Sequence, residues 1–119
     1  MKATVRSITF WTEHLPPSTN ALFANVAGKG RIRSERYREW QNAAGWDFNG
    51  KGSIAGPFKA TITVCASKRR KGRDIDNFAK PTLDLLVKHG VVEDDSLCEE
   101  VTLRWGDAAG GMRVEVRAA

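Results

Sequence analysis

Phe58 to Ala66 constrains the fold more than any other stretch of this chain. Phe58, Ala60, Ile62, Val64 and Ala66 alternate there with Lys59, Thr61, Thr63 and Cys65. An apolar period of two over nine residues is a β-strand with one buried face, and that face must be covered. Two helical patterns can cover it. One follows Ser34, a favourable N-cap, and carries Tyr37, Trp40, Ala44 and Phe48 at helical spacing. Gly45 weakens its middle, and Asn49-Gly50-Lys51-Gly52 stops it. The other runs from Asn77, as cap, to about His89. Its Pro81 falls in the first turn, where a missing N–H costs little. Leu83, Leu86 and Val87 form its inner face, and Gly90 suits the C′ position behind Lys88 and His89.

The rest of the chain adds strands. Lys2 to Trp11 is β-rich and ends at His14-Leu15-Pro16-Pro17-Ser18-Thr19-Asn20, because consecutive prolines cannot donate to a sheet ladder. A loop is expected through Gly28-Lys29-Gly30-Arg31-Ile32-Arg33. Its two glycines and three cations suit either phosphate contact or plain solvation. Strand-like segments close the chain at Cys98–Trp105 and Met112–Arg117, joined by residues 106–111. The expected fold is α/β (α+β), a mixed sheet in the order β-α-β-α-β-β within a single domain, 1–119. Trp11, Trp40, Trp46 and Trp105 fall in patterned segments and are expected in the core. His14 and His89 are expected to be structural or exposed.

Charge is concentrated rather than spread. The 119 residues carry a net charge of +5. Lys68, Arg69, Arg70, Lys71 and Arg73 account for all of it, leaving 14 basic against 14 acidic residues elsewhere. A localised cationic run favours a polyanion site over general solubilising charge. Cys65 and Cys98 are too few and too far apart for a zinc module or a disulfide framework, and read as free thiols in a reducing compartment. No signal-peptide pattern is present, and no apolar run approaches the ~20 residues of a membrane span. A soluble, cytoplasmic protein is expected.

Two carboxylates, Asp74 and Asp76, follow the run directly. Lys80 comes next, then the second helix and Glu93-Asp94-Asp95. Cations attract a phosphate backbone, and clustered carboxylates repel it unless a metal lies between. If Asp74-Ile75-Asp76 is extended, both carboxylates point one way and Ile75 points into the protein. With a carboxylate from Asp94-Asp95 they would make a hard, anionic cradle suited to Mg²⁺. Lys80, one helical turn beyond Asp76, could then meet charge developing on the phosphate. Arg31, Arg33, Arg36 and Arg38 form a second basic patch, either gripping backbone or merely solvated. The competing reading is structural: Asp74 and Asp76 neutralise the preceding cations and cap the helix.

These residues resemble the RusA family of endodeoxyribonucleases, four-way (Holliday) junction resolvases often carried by phages and prophages. RDIDNFAKPTLDLLVKHGVVEDDS is similar to the family pattern: a basic run, D-x-D-N-x-x-K, a helix with D-x-L, a glycine turn and a paired D-D. LPPSTN, ending at Asn20, resembles the family's P-P-S-x-N segment. The resemblance implies Mg²⁺-binding carboxylates at Asp74, Asp76 and Asp95, with Asp95 preferred over Asp94, and an essential lysine at Lys80. It also implies a compact α/β homodimer acting on branched DNA in recombination and repair. Pro81 after the lysine and Gly72 within the basic run depart from the pattern without touching a matched position. Lys68, Arg69, Arg70, Lys71 and Arg73, with Lys29, Arg31 and Arg33, are the expected DNA-binding residues. A non-cleaving binder of branched DNA and a metal-dependent nuclease of RNA or duplex ends are the alternatives. Paired nicks favour a two-fold dimer; Leu83, Leu86 and Val87, or Tyr37 and Trp40, are candidate interface surfaces, with burial inside one subunit the simpler account.

Overall fold

The computed structural model describes residues 3–18 and 21–119. Lys2, at the start of the expected first strand, and Asn20, at the end of the Pro-Pro segment, lie outside the described residues. In chain order the elements are β1 (Ser7–Thr12), β2 (Phe23–Val26), β3 (Gly30–Arg33), α1 (Glu35–Phe48), β4 (Phe58–Cys65), α2 (Ala79–Lys88), β5 (Cys98–Gly106) and β6 (Met112–Ala118). Short 3₁₀ turns occupy Ala66–Lys68, Ile75–Phe78 and Asp95–Leu97.

The alternating strand forms as β4, inside a four-stranded sheet ordered β1-β6-β4-β5. It pairs antiparallel with β6 and parallel with β5, and β1 pairs antiparallel with β6. Register puts Phe10, Val114 and Ile62 directly opposite one another across three strands. That row is fully buried. Phe10 stacks on Phe48 of α1 with ring centroids 4.6 Å apart. Thr82 of α2 donates its hydroxyl to Met112 Sδ at 3.6 Å. Burying a large apolar side chain stabilises by about 1.5–3 kcal/mol, so this single two-layer core supplies the main driving force.

Local signals account for the helix ends. Ser34 Oγ accepts the Tyr37 N–H at 3.1 Å, the expected cap of α1. α2 closes with the Gly90 N–H on Val87 O and the Val91 N–H on Leu86 O, a Schellman arrangement. It places Gly90 at φ +68°, where a side chain would be strained. Among the described residues no helix is long and apolar enough to cross a membrane.

Several expectations are corrected. The segment through Gly28–Arg33 is not a loop: Gly30–Arg33 pairs with Phe23–Val26 as a separate two-stranded hairpin. Asn77 does not cap α2, because it lies within the 3₁₀ turn that runs into the helix; Asp74 is the extended residue before that turn. Thr61 and Thr63, on the face opposite the core, are buried as well. Arginine side chains cover them: Arg117 donates to Thr61 Oγ1 at 3.4 Å and Arg104 to Thr63 Oγ1 at 3.0 Å. Trp40 is buried, but Trp46 and Trp11 are exposed, because Trp46 lies across α1 from Ala44 and Trp11 alternates with inward Phe10 and Thr12. Tyr37, Trp40 and Leu86 are buried within this chain, and Leu83 and Val87 pack against its core, so neither stripe is an open interface.

Candidate active site

β4 and β5 run parallel, and the chain leaves the carboxyl end of β4 into the charged stretch before entering α2. In α/β sheets this end, outside the strand termini, is where ligands bind. Arg73 shapes the stretch into a turn. Its N–H bonds to Arg70 O at 3.1 Å and its guanidinium to Lys68 O at 3.1 Å. Partial burial, then the nearby Arg70 charge, lowers the Arg73 pKa. No salt bridge joins Lys68, Arg69, Arg70, Lys71 or Arg73 to a described carboxylate. The turn is a source of uncompensated positive charge. Just before it, the Ser67 hydroxyl beside Cys65 Sγ draws that thiol down to about 7.

Asp74 and Asp76 follow. The tripeptide is not fully extended, since Ile75 and Asp76 open the 3₁₀ turn. The sorting of side chains is nonetheless as expected: Ile75 packs on the core while both carboxylates are exposed. Asp74 makes no side-chain cap bond, and neither aspartate forms a salt bridge with a described residue. The structural reading of this pair, neutralising cations and capping a helix, lacks its contacts. Both aspartates line a cleft of about 590 Å³ with Arg70, Arg73 and Trp105 of β5. Phe78 meets Trp105 edge-on, centroids 5.8 Å apart, fixing the floor beside them.

Lys80 stands one turn beyond Asp76. Its Nζ lies 3.6 Å from Asp84 Oδ2 and 5.9 Å from the centre of the Phe23 ring. The same Asp84 oxygen accepts the Tyr37 hydroxyl at 2.8 Å. Tyr37 is buried, and desolvation, then the bond to Asp84, pushes its phenol above its ordinary value. Asp84 and Tyr37 contact the candidate lysine directly or through one bond, and sequence reasoning missed both. The D-x-L spacing marks Asp84, but nothing in the sequence pairs it with a tyrosine 47 positions away.

Asp95 is placed elsewhere. It opens the 3₁₀ turn leading into β5, whereas Trp105, beside Asp74 and Asp76, stands near the other end of that strand. Cys98, where β5 begins, and Trp105 are seven residue steps apart, and seven steps of a parallel strand span roughly 23 Å. Among the described residues no group of three or more His, Cys, Asp or Glu is placed to hold a metal ion. One chain therefore brings together Asp74, Asp76 and the basic turn, but not Asp95. Asp94 is turned locally: its Oδ2 accepts the Ser96 hydroxyl, the main reason its carboxyl sits below the usual range.

The hairpin cations divide. Lys29 is exposed in the turn. Arg31 lies 4.8 Å above the Phe23 ring, which it shares with Lys80, so the hairpin reaches the catalytic-lysine candidate. Arg33 donates to Gln41 Oε1 at 3.1 Å and is tied to α1.

The model of the family described as Endodeoxyribonuclease RusA matches residues 14–117. The chain belongs to that family. It is also 32% identical over 106 residues to the crossover junction endodeoxyribonuclease RusA of Aquifex aeolicus (strain VF5), a match covering 85% of this chain and 82% of the relative. The matched span contains the basic turn, Asp74, Asp76, Lys80, Asp84 and Asp95.

Proposed function

We propose that this protein is a Mg²⁺-dependent, structure-selective DNA endonuclease that resolves four-way junctions by paired symmetric nicks. The carrying observation is the pairing of opposites at one cleft: two exposed, unbridged carboxylates beside a turn of uncompensated cations. A protein that only bound DNA would gain nothing from Asp74 and Asp76 next to phosphate, since they oppose the attraction the cations supply. Family membership and the crossover-junction relative support DNA, and branched DNA in particular, as the substrate. We read the setting as recombination and repair in the cytoplasm.

The residues fit the metal. Mg²⁺ takes oxygen ligands, keeps several waters, and is usually held by one or two carboxylates together with substrate phosphate. Asp74 and Asp76 supply such a pair. When bound, the ion supplies charge neutralisation at the scissile phosphate and a more acidic water. Lys80, held by Asp84, brings a positioned cation to charge that develops on the phosphate oxygens. Arg69, Arg70 and Arg73 hold the backbone in register without reading sequence. Asp95 is too far along β5 to join Asp74 and Asp76 of its own chain, which supports a site made by two copies, with Asp95 of the partner subunit as third carboxylate. A two-fold dimer of this kind carries two sites, matching the two symmetric nicks a junction requires.

The test is a substrate panel. Purified protein with Mg²⁺ should nick a four-way junction on opposing strands and leave linear duplex and RNA intact, and chelation should stop it. Equal cutting of RNA or duplex ends would favour a nuclease of another substrate. Tight junction binding without cutting would favour a non-cleaving binder.

A further inference from the structure

The Arg70–Arg73 turn walls a second cleft, of about 750 Å³, that contains neither Asp74 nor Asp76. It opens between that turn, residues 13–18 and α1, and its volume is in the ~300–1,000 Å³ range of small-ligand sites. Its walls are held in place. The Trp40 indole N–H donates to His14 O at 2.8 Å, pinning the Pro16-Pro17 segment to α1. The two bonds of Arg73 close the opposite wall. The lining divides by chemistry. Pro16 and Pro17, both half-buried, present apolar surface, Arg36 and Arg73 bring positive charge, and Glu13 and Glu39 offer acceptors.

Apolar proline surface with cations in the same cleft meets the two needs of an unstacked nucleotide, a face for the base and charge for its phosphate. Carboxylates within reach can accept from base N–H groups. We propose that this cleft receives one unpaired nucleotide of the strand being cut, its base against Pro16 and Pro17 and its phosphate on Arg36 and Arg73. The proposal rests on the endonuclease reading above. Because the Arg70–Arg73 turn borders both clefts, the nucleotide held here adjoins the one presented to Asp74 and Asp76. Selectivity for branched DNA then has a physical source: a nucleotide at a branch point loses less stacking on entering the cleft than one inside a continuous duplex.

Ala43, half-buried on α1, lines the cleft, and Ala43→Trp would fill it. The experiment uses Asp76→Asn protein and four-way junctions with 2-aminopurine placed in turn at nucleotides flanking the cut. One position should brighten about threefold or more on binding, as a base leaving its stack does. Adding Ala43→Trp should abolish that response while junction affinity changes by less than about threefold, since the backbone cations remain. Ala43→Leu, which fills less space, should weaken the response and carries the test if the tryptophan variant does not fold. A junction with no responding position, or a response indifferent to both substitutions, overturns the proposal. Neither arm needs cutting, so failure of the unmodified protein to nick any substrate would refute the endonuclease reading and leave the cleft result legible.

Discussion

At Asp84 a single carboxylate oxygen serves a buried phenol on one side and an exposed ammonium on the other. An exposed i,i+4 ion pair contributes only about 0.3–0.5 kcal/mol, so its effect on Lys80 is orientation more than stability. Tyr37→Phe removes the buried anchor. It should cost about 1 kcal/mol in urea unfolding, and lower turnover several-fold at saturating junction while KM stays near that of the unmodified protein. Unchanged turnover would leave Tyr37 a stability residue only. Cysteine reactivity offers a second check at this scale. With Cys65 at about 7 and the Cys98 thiol pushed up by burial, the Cys65 thiolate predominates above neutrality. Iodoacetamide at mildly alkaline pH should label Cys65 first, read by peptide mass spectrometry; Cys98 reacting first would contradict the placement of Ser67. Asp74, Asp76 and Lys80 were legible in the sequence because charge beside charge is a local pattern. The Tyr37–Asp84 bond was not, since it exists only once α1 packs on α2.

β4 and α1 could be read from their periods, and α2 could be placed, but its buried residues are Pro81, Thr82, Leu85 and Leu86, with the expected Leu83 and Val87 only partly buried. The β2–β3 hairpin could not be read as readily. Each strand has four residues, with alanine and asparagine in β2 and glycine and arginine in β3 where β-branched residues would signal a strand. The available signal was the three-residue connection Ala27-Gly28-Lys29, closed by the Lys29 N–H on Val26 O at 3.0 Å. The stretch after β4 carries a similarly weak signal for its backbone path. Asp74 and Asp76 look like alternating strand positions, but the chain has already turned into a helical path at Ile75, and Asn77 with it. The β5–β6 connection offers a test of packing. A Cβ on Gly111 would sit 2.0 Å from Thr12 O of β1, and the backbone on either side has little room to yield. Gly111→Ala should lower stability by about 1–3 kcal/mol, the usual range for overpacking. A melting temperature equal to that of the unmodified protein would show that β1 does not pack there as described.

For the whole molecule, the position of Asp95 sets it apart from the other two candidate carboxylates of its chain. Set at the start of β5 while Asp74 and Asp76 lie near its end, it calls for a second copy if all three carboxylates serve one ion. Mixing separately inactive Asp76→Asn and Asp95→Asn chains should then restore nicking, because each mixed dimer contains one site whose residues are all intact. No restoration under subunit exchange would mean that the carboxylates do not act across subunits. The sequence showed the three aspartates but not their separation, because distance along a strand becomes distance in space only when the register of β4 and β5 is known. The most direct measurement is binding and cutting of one four-way junction by Asp76→Asn beside the unmodified protein. Removing a metal ligand and a charge that opposes phosphate should abolish Mg²⁺-dependent nicking, by about 10³-fold or more, while gel-shift affinity holds or improves. Parallel loss of binding and cutting, or cutting that survives, would contradict the assignment of Asp74 and Asp76 to catalysis.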